Sequence, residues 1–75
     1  MPGKSGQLST NEKRFGNISV EKGFITQQQL VEALNNQVVE ETKNGKHLFI
    51  GEILLDLNYM TLEQIEEVLV ALIRT

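Results

Sequence analysis

The side chains able to do chemistry are few. The 75-residue chain has no cysteine and one histidine, His47. Thiol nucleophiles, disulfides and cysteine-ligated metals are therefore excluded, and zinc lacks an adequate donor set. His47 follows the Gly45-Lys46 turn without a serine or cysteine partner in view, and reads as a surface or helix-start residue. Asn44-Gly45-Lys46-His47 resembles the end of a phosphate loop. It lacks the upstream glycine and the Ser/Thr after the lysine that phosphate and magnesium binding require. The carboxylate pairs Glu40-Glu41 and Glu66-Glu67 fall on long amphipathic segments, facing outward, and read as solvated faces rather than a metal site. No catalytic residue and no metal ligand is assigned, and the chain is expected not to be an enzyme.

Charge and composition narrow the classes further. The net charge is −3, but residues 1–23 sum to +2 and the remainder to −5. A duplex-binding protein needs a broad basic face, so DNA and RNA are not expected partners, while a small anion near the first segment is compatible. Leu, Ile and Val supply 22 of the 30 hydrophobic residues, so the core must be aliphatic. A domain this small buries only about 60% of its unfolded surface, which limits its stability. No apolar run approaches the roughly 20 residues of a membrane span, so no membrane insertion is expected. Residues 1–10 are polar and lack the apolar stretch of a signal peptide, which points to a cytoplasmic location.

The elements that must position any site come in two copies. Displaced by 35 residues, Phe15–Gln37 falls on Ile50–Leu72 with identities at Gly16/Gly51, Ile18/Ile53, Thr26/Thr61, Gln29/Gln64, Glu32/Glu67 and Leu34/Leu69. Each unit reads as a short helix, a tight turn and a longer helix. Gly23 and Asn58, the residue types that best tolerate a left-handed backbone, stop the short helices. Thr26 with Gln29, and Thr61 with Gln64, have capping-box spacing. Ile25 with Leu30, and Met60 with Ile65, have the spacing of a hydrophobic staple. Leu30, Ala33, Leu34, Gln37, Val38 and Ile65, Val68, Leu69, Leu72, Ile73 follow the i, i+3, i+4, i+7, i+8 pattern of a helix face. The first long helix should end near Lys43, at Asn44-Gly45. Leu48–Leu55 is strand-like in composition, but its alignment with the first unit favours helix.

The expected fold is all-α: a small bundle of four helices from two pseudo-symmetric helix-turn-helix repeats. Residues 1–9 read as a disordered tail and 10–75 as one domain, with repeat one at 14–37, a linker at 38–48 and repeat two at 49–72. A tetratricopeptide solenoid fits less well, because the short helices are too short and two copies are too few.

The unit Arg14-Phe15-Gly16, Gly23-Phe24-Ile25-Thr26, Leu30, Ala33-Leu34, Gln37 resembles the tandem repeat of the N-terminal, MshEN-like domain of type II secretion and type IV pilus assembly ATPases. Some members of that family bind cyclic di-GMP, and others dock onto inner-membrane components of the secretion machine. The resemblance spans residues 14–72 and carries Arg14, Phe15, Gly16, Leu30, Leu34 and Gln37 onto ligand-facing positions of the first repeat. An arginine fork suits a phosphate or guanine edge, a glycine permits close backbone approach, and leucines form a floor for a purine. Gly51, Ile65 and Leu69 match in the second repeat, whereas Phe49 replaces the arginine, Asn58 the turn glycine and Leu72 the glutamine. One half of a two-fold symmetric dianion would thus lose its charged and polar contacts.

Two functions follow from this reading. The first is a bacterial, non-catalytic protein-docking module, with Val31, Val39, Phe49 and Val70 as apolar residues left over for a partner such as a secretion or pilus component. The second is a cyclic di-GMP receptor built on the first repeat. No other cofactor is implied.

Overall fold

The computed structural model describes residues 10–74, and the tail expected at 1–9 lies outside them. Among the described residues there are four helices and no strand: α1 (Thr10–Glu21), α2 (Gln27–Asn44), α3 (Ile50–Asp56) and α4 (Leu62–Arg74). The chain is a small all-α bundle of two helical hairpins. The strand-like stretch before Leu55 is helical from Ile50 onward. Of the stretch set aside as a linker, residues 38–44 continue α2, so only 45–49 connect the hairpins.

Local chemistry sets each boundary, and it does so twice. Thr26 Oγ1 accepts from the Gln29 backbone at 3.0 Å while Gln29 Oε1 accepts from Thr26 N at 2.9 Å. Thr61 and Gln64 make the same reciprocal pair at 3.1 and 3.0 Å. The short helices end at Gly23 (φ 78°) and Asn58 (φ 64°), both left-handed. Their turns close with matching bonds: Phe24 N to Ser19 O at 3.0 Å, and Tyr59 N to Leu54 O at 2.9 Å. α2 stops where Gly45, at φ 66°, lets its own N–H reach the Glu41 carbonyl and the next residue's reach Glu40.

Each hairpin packs more on the other than on itself. α1 packs chiefly on α4 and α2 on α3, with α1 and α3 meeting between them. Each short helix therefore buries its apolar face on the long helix of the other repeat. The core contains corresponding residues from both copies: Phe15 with Ile50, Ile25 with Met60, and Ala33 with Val68. Buried Ser19 takes the place that Leu54 has in the second repeat, its hydroxyl donating to Phe15 O at 2.8 Å. Fully buried side chains such as Leu54 each contribute about 1.5–3 kcal/mol.

The rims are tied in the same crossed sense. Glu32 accepts from Tyr59 Oη at 2.7 Å, and its counterpart Glu67 pairs with Lys22 Nζ at 3.3 Å. The bond to Glu32, then lost hydration and the carboxylate's charge, raise the Tyr59 pKa above its usual 10.0. A raised pKa means that this tie contributes below pH ~10 and is lost as pH rises through the folded-state value. Ultraviolet titration of Tyr59, the single tyrosine, should give a midpoint above 10, and Glu32→Gln should return it toward the free value. An unchanged midpoint in the variant would contradict the assignment.

Candidate functional site

The start of α3 lacks a capping side chain of its own, because Phe49 holds the N-cap position. Two carboxylates supply the acceptors instead. Glu52 Oε1 accepts from Phe49 N at 2.8 Å, and Glu12 Oε1, reaching across from α1, accepts from Ile50 N at 3.2 Å. Negative charge there is also favoured by the helix dipole. The same Glu12 oxygen accepts from Gln37 Nε2 at 2.8 Å, and Gln37 donates its second N–H to Leu48 O at 2.7 Å. Gln37 is buried at 4% exposure. His47 completes the cluster from outside, exposed, with Nε2 3.4 Å from Glu12 and Nδ1 3.5 Å from Glu41. This network fastens α1, α2 and the connector together.

Beside the Glu12 network lies an open groove of about 450 Å³. α1 lines it with Asn11, Glu12 and Phe15; α3 and its N-cap add Phe49, Ile50, Gly51, Glu52 and Leu55; α4 adds Leu62, Ile65, Leu69 and Leu72. Phe49 is 60% exposed, Leu62 59% and Leu69 45%, so large apolar surface faces solvent here.

The structure divides the residues singled out in the sequence between two environments. Gly51, Ile65, Leu69 and Phe49, from the second repeat, come together in this groove with Phe15 from the first. The other first-repeat positions do not line it. A Cβ built on Gly16 would stand 2.9 Å from Leu30 Cδ1, so Leu30 sits down on the glycine. Leu34 packs against the core, and both amide hydrogens of Gln37 are committed. Arg14 is half-buried and is not among the groove's lining residues. Leu30 has no counterpart contact in the second repeat, where the nearest atom to a Cβ on Gly51 would be Phe15 Cζ at 3.2 Å rather than Ile65. Val31, Val39 and Val70, read in the sequence as apolar residues left over for a partner, are exposed but lie outside the groove.

Leu55, Leu62 and Glu12 were not singled out from sequence. The signal for Leu62 was present in the repeat alignment. Arg14 corresponds to Phe49, Gln27 to Leu62 and Gln37 to Leu72. All three exchanges replace a polar side chain with an apolar one, and all three apolar residues line the groove. Among the described residues no cluster of three or more His, Cys, Asp or Glu could hold a metal ion, and no helix is long and apolar enough to cross a membrane.

Comparison with known protein families, with curated proteins and with solved structures finds no match.

Removing the Gln37 amide would leave Leu48 O and the Glu12 carboxylate short of a donor. Gln37→Leu, which copies the second repeat, should lower stability by about 2 kcal/mol, read as a shifted urea midpoint. A midpoint equal to that of the parent chain would show that the network is dispensable.

Proposed function

We propose that the chain is a non-catalytic protein-docking module whose contact surface is the groove between α1, α3 and α4. The observation that carries this reading is the open apolar groove itself, where three of the polar-to-apolar exchanges between the copies, Arg14 to Phe49, Gln27 to Leu62 and Gln37 to Leu72, come together. Exposed apolar residues scattered over a surface are ordinary, but contiguous ones in a groove mark a binding face. Kinship with the N-terminal domains of secretion and pilus ATPases, and docking onto a component of such a machine, belong to this proposal and rest on the motif in the first repeat.

Cyclic di-GMP receives less support. It is a dianion, and the open groove is apolar with Glu12 and Glu52 at its edge. In the first repeat the Gln37 amide that would read a guanine edge already serves Glu12 and Leu48.

A photo-crosslinking side chain at Phe49, introduced in cells that make the protein naturally, should trap a discrete protein partner, and Leu69→Asp should abolish the product. In a parallel titration with cyclic di-GMP, the amide resonances of Gly16, Gln37 and Gly51 should stay in place. Absence of any product from position 49, or ligand-dependent shifts at those amides, would contradict the docking reading.

A further inference from the structure

The groove is apolar at its floor, with Glu12 and Glu52 in its lining and further exposed carboxylates on α3 and α4 outside the lining. On α3, Glu52 and Asp56 are exposed one turn apart and flank Leu55. On α4, Glu66 is exposed four residues after Leu62 and three before Leu69, on the same helix face, and Glu63 stands exposed beside Leu62. Lys22 pairs with Glu67, and Arg74, at the far end of α4, is the only basic residue that α3 or α4 contains. The apolar floor thus has exposed carboxylates near it on α3 and α4, while α1, which also lines it, carries Lys13 and Arg14 next to Glu12 and Phe15 in sequence.

We infer that the groove's occupant is an amphipathic α-helix of a partner protein, with an apolar stripe flanked by lysine or arginine. This rests on the docking reading and adds the chemistry of the partner. The floor and walls are helices, so a third helix can seat its ridge between α3 and α4 as helices pack in a bundle. α4 has 13 residues, so its length of about 20 Å accommodates three to four turns of a partner. Basic flanks would meet Glu52 and Asp56 on one side and Glu63 and Glu66 on the other, which steers association and fixes the partner's sign. A second copy of the chain is a poorer occupant, because each copy has a net charge of −3 and would bring carboxylates against carboxylates.

The test uses two stapled 15-residue helical peptides with the same leucine stripe at i, i+3, i+4 and i+7. One has lysines on its flanks and the other glutamates. Titrated into the isotope-labelled chain, the lysine peptide should shift the amides of Gly51, Leu55 and Leu69. The glutamate peptide should bind at least about tenfold more weakly. Glu63→Lys with Glu66→Lys, both at exposed positions, should narrow that preference by weakening the lysine peptide and strengthening the glutamate peptide. Equal binding of both peptides, binding of neither, or shifts centred on α2 would overturn the inference. So would sedimentation of the chain alone as a dimer with the groove amides already protected from exchange. The Phe49 crosslink reports on docking independently of the peptides, so failure of the partner's chemistry is distinguishable from failure of docking itself.

Discussion

A helical hairpin of two short elements cannot cover its own apolar face. Here each hairpin covers the face of the other, with α1 on α4 and α3 on α2. That mutual burial is the constraint from which the remaining features follow. It explains why corresponding residues of the two repeats share the core, and why the capping boxes and left-handed stops occur twice at the same spacing. It also means that neither half can be expected to hold its shape alone, since the surface it would expose is the one its twin buries.

Pseudo-symmetry then makes the differences between the halves informative. In the first repeat, Leu30 rests on Gly16, Leu34 joins the core, and Gln37 is buried and hydrogen-bonded to the connector. In the second, Leu69 is 45% exposed and Leu72 lines an open groove. The half that contains Arg14 and Gln37 therefore has the Gln37 amide engaged internally. The other half presents the accessible surface. Because Glu12 both accepts from Gln37 and caps α3 beside Phe49, closure of one side and the geometry of the other share a single carboxylate.

Much of the fold was legible in the chain, and for local reasons. Thr26 with Gln29, Gly23 against Asn58, and the Asn44-Gly45 stop act within a few residues, so their spacing is itself the signal. The identity of the open side was not legible in the same way. Gln37 reads equally well as a ligand group or a buried link, and the bonds that decide between them run to Glu12, 25 residues earlier, and to Leu48 O, 11 residues later. Glu12 carried no motif because it caps a helix other than its own. Leu62 was visible only by comparing it with Gln27, an exchange that acquires meaning once Phe49 and Leu72 are found beside it.

The asymmetry between the halves is most directly measured by the relaxation that an inert paramagnetic cosolute induces in the leucine methyls. Leu34 and Leu69 occupy equivalent places in the two repeats, so each serves as the other's control. The account predicts strong broadening of Leu69 and Leu62 with Leu34 and Leu30 largely spared. Equal broadening of Leu34 and Leu69, or protection of Leu69, would contradict an open groove on the second repeat.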